Sequence, residues 1–150
     1  TKSVIHSNEA TKLRMIEKIK KLAEGMLANK LITILGVTFK PNTDDMRDAP
    51  SLVIVPALID AGAKIRIVDP QGYKEGSILL EGAEWHDDIY TAVKDSDMVV
   101  ILTEWNEFRA LDLAKLASIM NVAAMADLRN IYSKDQALSN GFTSYDSIGR

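Results

Sequence analysis

Three cations and one aromatic in this sequence have the type and placement to hold an anionic, ring-bearing ligand. They are Lys40 and Arg47, with Phe39 beside them in "GVTFKPNTDDMRDAPS" (36–51), and Arg129 in "ADLRN" (126–130). A lysine ammonium and an arginine fork suit phosphate oxygens, and an aromatic ring can pack on a base or sugar. The simpler alternative is a solvated turn in which Asp44, Asp45 and Asp48 pair with Lys40 and Arg47. Composition alone favours that turn. Gly36 stands alone, without the G-x-G-x-x-G spacing that would assign a dinucleotide to this domain.

Other candidates are weaker. Asp69 stands where a ribose-binding carboxylate would stand after a second strand, but "VDP" is also an Asp-Pro turn, and the missing glycine fingerprint favours the turn. "TEW" (103–105) can present Glu104 and Trp105 to a ligand, although a tryptophan there is more often a core or rim aromatic. His86 has the chemistry of a general base, yet no partner is identifiable in sequence, so a satisfied or exposed histidine is favoured. The chain has no cysteine, hence no thiol nucleophile, disulfide or thiolate metal site. Its two histidines, His6 and His86, lie far apart without a metal-ligand pattern, so no metal site is expected. No self-sufficient catalytic set is visible.

The elements that would position these residues read as an α/β pattern. Residues 3–28 have helical periodicity through Ile5, Lys12, Ile16, Ile19, Leu22, Ala23 and Met26. No strand or turn leads into this helix, which suits a chain cut from something longer; an N-terminal helix docked on its own domain is the alternative. Strands are expected at 31–37, 64–70, 83–87, 97–105 and 122–130, with an edge strand in "FTSYDSIG" (142–149). Helices are expected at 51–63, bent or weakened by Pro56, and at 88–96 and 107–120 with a break near Asp112. A short one follows in "KDQALSN" (134–140).

Strands alternating with helices imply parallel βαβ units. The expected fold is a doubly wound, mainly parallel, Rossmann-like sheet of about five or six strands. Ligands then bind beyond the carboxyl ends of the strands. Four exits therefore matter: 38–49, 69–76, 103–106 and 127–132. The first is longer than the roughly 2–6 residues usual between a strand and a helix.

Composition bounds the rest. The 150 residues are 47% hydrophobic and 26% charged, enough for one domain with a sizeable core. Eighteen basic against 21 acidic residues leave a net charge of −3, which argues against a nucleic-acid or anionic-membrane surface. No apolar run approaches the roughly 20 residues of a membrane span. No cleavable signal is visible, because the start turns polar at once.

The stretch "GVTFKPNTDDMRDAPS" resembles the G-x-x-F-K-x-x-T-D-D-x-R-x-S/A-P signature of the C-terminal, UDP-binding domain of the UDP-glucose and GDP-mannose dehydrogenase family. "ALIDAGAKIRIVDP" (57–70), "ILTEWNEFRALD" (101–112) and "ADLRNIY" (126–132) agree in order. "SNEATKLRM" (7–15) resembles the end of that family's central helical region. The resemblance implies a UDP-sugar-binding domain over 30–150 and the end of the central region over 1–29. It also implies a cytoplasmic enzyme that oxidises the C6 alcohol of a nucleotide sugar to a carboxylate with two NAD⁺.

In that family NAD is bound by an N-terminal Rossmann domain, and a cysteine of the central region carries the covalent intermediates. The expected partners are therefore the N-terminal NAD-binding and central domains, a UDP-sugar substrate, and further copies in a homodimer or higher oligomer. This chain alone is expected to be inactive, since without a thiolate the second oxidation has no covalent handle.

By position, Phe39 and Lys40 match residues that meet the nucleotide sugar, Arg47 matches the arginine that reaches NAD, and Arg129 matches an arginine on the UDP side. Leu128 replaces the glycine common in the family's D-G-R-N, which is tolerable if the backbone angle is ordinary. The asparagine and aspartates of "NTDD" (42–45) are expected to shape the loop by capping backbone groups. "TDDMRDAPS" leans towards UDP-glucose, with UDP-N-acetylmannosamine and GDP-mannose dehydrogenases next. A free-standing nucleotide-binding or interaction module without catalysis is the alternative of a different class.

Overall fold

A computed structural model describes residues 2–148, with side chains from residue 10 onward; the side chains of Ile5 and His6 fall outside the described residues. Six strands form one sheet: β1 (Leu31–Leu35), β2 (Lys64–Val68), β3 (Glu84–Trp85), β4 (Met98–Ile101), β5 (Ala124–Asp127) and β6 (Ser144–Ser147). Their order is β3-β2-β1-β4-β5-β6, and every pairing is parallel. The doubly wound expectation holds, and the order reverses between β1 and β4.

The two faces follow from strand alternation. Ile32, Ile34, Ile65, Ile67, Met98, Val100, Ala124 and Ala126 turn to one face. They meet α1 (Lys2–Leu22) through Met15, Ile16 and Ile19, and α2 (Ser51–Asp60) through Ile54, Val55 and Leu58. Leu35, Val68, Val99, Ile101 and Met125 turn to the other face. There they meet α4 (Ile89–Val93), α5 (Asn106–Arg109), α6 (Leu113–Ile119) and α7 (Lys134–Ser139). Each fully buried Leu, Ile or Phe stabilises the fold by about 1.5–3 kcal/mol. Thr33, fully buried in β1, satisfies its hydroxyl on the Ala92 carbonyl at 2.8 Å and on Ser96 Oγ at 2.6 Å.

Several expected boundaries move. The first helix ends at Leu22, not Ala28, because Glu24 (φ 56°) and Gly25 (φ 79°) turn left-handed and the Gly25 amide bonds back to the Lys20 carbonyl. Met26 therefore leaves the apolar face and is exposed, while Leu27 is buried. Helix α2 runs through Pro56 and stops at Gly62 (φ 96°). The break near Asp112 separates α5 from α6, and Asp112 caps α6 by accepting the Lys115 amide. Helix α3 (Tyr73–Leu79), absent from the sequence reading, occupies part of the exit expected after β2.

Candidate functional site

The first exit leaves β1 at Gly36, whose φ of 88° is open to glycine. A Cβ there would stand 2.5 Å from Thr103 Cβ, so the β1 and β4 exits approach as closely as backbone allows. Thr103 then donates its hydroxyl to the Thr38 carbonyl at 2.8 Å. Asp69, beyond β2, joins them: Oδ2 accepts the amides of Val37 (2.7 Å) and Thr38 (3.2 Å), and Oδ1 those of Gln71 (2.9 Å) and Gly72 (2.7 Å). The Asp-Pro turn reading of Asp69 thus holds, with a tie to the first exit that the sequence reading missed.

The long loop is pinned at both ends. Met46 and Ala49 are buried, and the Phe39 amide donates to the Asp45 carbonyl at 2.8 Å. Ser51, at the start of α2, donates its hydroxyl to the Val37 carbonyl at 2.6 Å. Capping within the loop comes from Thr43, which accepts the Asp45 amide, and from Asp45, which accepts that of Arg47. Asn42 contributes a positive φ of 65° instead of a cap. The loop presents Phe39, 44% exposed, and the exposed Lys40. Among the described residues the Lys40 side chain has no hydrogen bond or ion pair.

The internally paired alternative holds for Arg47 alone. Its Nε and Nη2 meet Asp45 Oδ1 and Oδ2 at 3.0 and 3.1 Å, a bidentate pair on a side chain that is 88% exposed. The hydrogen bonds of Arg47 hold the Asp45 carboxyl below the usual carboxylate range, and Asp45 raises the guanidinium in turn.

Arg129 emerges beyond β5 from a turn built on Asp127. That carboxylate is fully buried and accepts the amides of Arg129 (3.3 Å), Ile131 (3.2 Å) and Tyr132 (2.7 Å), with the Tyr145 hydroxyl 3.0 Å away. Tyr132 donates its hydroxyl to the Phe108 carbonyl and accepts the Leu111 amide, and burial pushes its phenol pKa up. Leu128 is buried and lies outside the left-handed region, so the missing glycine costs the turn nothing; Asn130 takes the positive φ of 55°. Arg129 Nε reaches Glu104 Oε2 at 2.6 Å, and Nη2 reaches the same oxygen at 2.6 Å.

Phe39, Lys40 and Arg129 therefore belong to one rim. Leu35, Ile101 and Asp127 stand in register across β1, β4 and β5, so the three exits leave the sheet at one level. Arg129 binds Glu104, and Thr103 beside it binds Thr38, next to Phe39. Trp105 is buried, the core reading, and lines an open cavity of about 540 Å³ with Asn42, Thr43, Asp44 and Gln71. His86 lies at the far edge, where its Nε2 is 2.5 Å from Glu84 Oε1; the partner missing from the sequence reading is Glu84. A cavity of about 360 Å³ lined by Lys30, Asp97 and Ser144 opens at the opposite end of the strands, away from the exits. No helix among the described residues is long and apolar enough to cross a membrane.

Comparison with known proteins places the chain in a family. The chain is 48% identical over 143 residues to the UDP-glucose 6-dehydrogenase of Rhizobium meliloti (strain 1021), covering 95% of the chain and 32% of that protein. It is 36% identical over 149 residues to UDP-glucose 6-dehydrogenase TuaD of Bacillus subtilis (strain 168), covering 99% of the chain and 32% of that protein. The chain thus spans about a third of the length of the curated relatives it matches. A UDP-glucose dehydrogenase from Pyrobaculum islandicum shares the fold, with TM-score 0.77 at 23% identity over 97% of this chain and 31% of that one. A sequence model for the UDP binding domain of the UDP-glucose/GDP-mannose dehydrogenase family matches residues 33–134, from the middle of β1 into α7 and across all four exits. The chain belongs to that family.

Proposed function

We propose that this chain is the UDP-sugar-binding part of an NAD-dependent UDP-glucose 6-dehydrogenase, which oxidises UDP-glucose to UDP-glucuronate. One observation carries the reading: the unbroken contact path from Arg129 through Glu104, Thr103 and Thr38 to Phe39 and Lys40 makes one cationic, aromatic-edged rim over the strand exits. In this reading Phe39 packs on the nucleotide sugar, while Lys40 and Arg129 take its phosphate oxygens. Arg47 extends away on its Asp45 tether and meets NAD across an interdomain cleft.

The whole reaction moves two hydrides from C6 to two NAD⁺ and adds one oxygen from water. This chain's share is binding and orientation, because it supplies no cysteine for the covalent intermediate. Residues 1–29 belong to the central helical region and 30–150 to the UDP-sugar-binding domain. NAD is held mainly by an N-terminal domain of a cytoplasmic homodimer or higher oligomer.

Calorimetric titration with UDP tests the site. Losing one charge-assisted contact weakens binding about 10- to 100-fold, so Lys40→Ala and Arg129→Ala should each do so. Arg47→Ala should leave UDP affinity within about two-fold, since its partner is the cofactor. No affinity for UDP, or cationic variants that bind as the original, overturns the reading. NADH formed by this chain alone from UDP-glucose overturns the division of labour. The matched family also spans GDP-mannose dehydrogenases, and tighter binding of GDP than of UDP would select that branch.

A further inference from the structure

We infer that Glu104 is a positioning residue for nucleotide binding: it braces Arg129 so that one end of the guanidinium is held ready for a phosphate. The inference rests on the nucleotide reading of Arg129 and adds a residue to it. Both members of the pair grow from fixed backbone. Glu104 follows Thr103, which is locked to Thr38, and Arg129 sits in the turn whose amides Asp127 gathers. The side chains between these two anchors are only 18% and 32% exposed. A free arginine carries four rotatable bonds of conformational freedom that a ligand must freeze; here the pair has already frozen them.

The geometry of the contact decides which donors remain. Glu104 Oε2 is bound by Nε and Nη2 together, so the carboxylate occupies the side edge of the fork. Among the described residues, the N–H groups at Nη1 and the second one at Nη2 have no other partner and remain for an anion. The competing view is that Glu104 repels a diphosphate and must be displaced. Against it, the carboxylate sits on the Nε side of the guanidinium, so an anion at the opposite end lies closer to the positive group than to the negative one. Binding at the free end requires no exchange of partners, and the immobilisation of a long side chain has been met in advance.

UDP is titrated calorimetrically into the chain and into Glu104→Ala, Glu104→Gln, Arg129→Ala and the Glu104→Ala/Arg129→Ala double variant. A brace predicts that Glu104→Ala weakens UDP about 3- to 10-fold, the worth of one pre-ordered side chain. Glu104→Gln should stay within about two-fold of the original, because its amide oxygen still accepts from Nε. The double variant should bind as Arg129→Ala alone, since a brace with nothing to hold has no effect. Glu104→Ala binding UDP as tightly as the original, or more tightly, overturns the brace. So does a double variant weaker than Arg129→Ala, which would mark a general structural role. An Arg129→Ala variant with unchanged affinity overturns the nucleotide reading itself, and the brace with it.

Discussion

Asp69 Oδ2 accepts the backbone amide of Val37 at 2.7 Å, so a carboxylate at the end of one strand shapes the exit loop of its neighbour. The same group also holds Thr38, Gln71 and Gly72 by their amides. Asp69→Asn keeps the size but turns an NH₂ towards donors that need an acceptor. The expected cost is about 1–3 kcal/mol in urea unfolding, with weaker UDP binding because Phe39 and Lys40 follow directly from the released segment. An unchanged unfolding midpoint would mean that the two exits are held together by other contacts.

Gly36 and Gly25 separate backbone strain from steric clash. Both have positive φ, 88° and 79°, but a Cβ at Gly25 meets nothing within 4 Å whereas one at Gly36 strikes Thr103. Gly25→Ala should cost about 1 kcal/mol from strain alone, and Gly36→Ala about 2–4 kcal/mol from strain plus forced displacement. Equal losses in chemical denaturation would show that the β1 and β4 exits yield without resistance.

Asp88 caps α4, and its carboxylate accepts both the amide and the hydroxyl of Thr91 at 2.8 Å. These hydrogen bonds, led by that from the Thr91 backbone, lower its pKa below the 3.8 of an ordinary aspartate. The folded pKa is depressed, so its stabilisation is present above pH 3.8 and is lost as pH falls through the folded value. Asp88→Ala should therefore cost about 1 kcal/mol at neutral pH, and the gap to the original should close in strong acid. A gap that persists below the folded pKa would mean that the carboxylate charge is not what the cap uses.

Leu128 stands where the D-G-R-N motif that this stretch resembles has glycine, and placing glycine there should harm the protein. The side chain is buried at 1% exposure, and its amide donates to the Ile101 carbonyl at 3.1 Å. Leu128→Gly removes this core packing and adds backbone freedom to the turn that carries Arg129. A loss of about 3–5 kcal/mol is expected in thermal or chemical unfolding. A neutral result would show that the turn is held entirely by Asp127.

Much of the fold was legible because strands buried on both faces read as continuous apolar runs. "LITIL" and "MVVI" are such runs, and turn residues punctuate the helices between them. Helix α3 escaped because Gly76 interrupts "YKEGSIL" and Tyr73, Ile78 and Leu79 are all exposed, so it has no apolar periodicity to detect. Gly76 is there for a tertiary reason: a Cβ would come within 2.5 Å of the Trp85 ring. The early end of α1 was hidden for the opposite reason, since Met26 continues the helical spacing and the left-handed turn at Glu24 and Gly25 breaks the backbone.

By itself the sequence determined the α/β alternation, the polar loop after β1 and the candidate cations, because periodicity, turn chemistry and charge are properties of neighbouring residues. The tertiary structure decided which charges meet. Asp45 could pair with Lys40 or Arg47 in the written chain, and loop geometry chose Arg47. Glu104 and Arg129 are 25 residues apart, and Val37 and Asp69 are 32 apart. Nothing local links either pair. They meet because β4 lies beside β5 and β1 beside β2 in parallel register, an outcome set by the packing of the whole sheet.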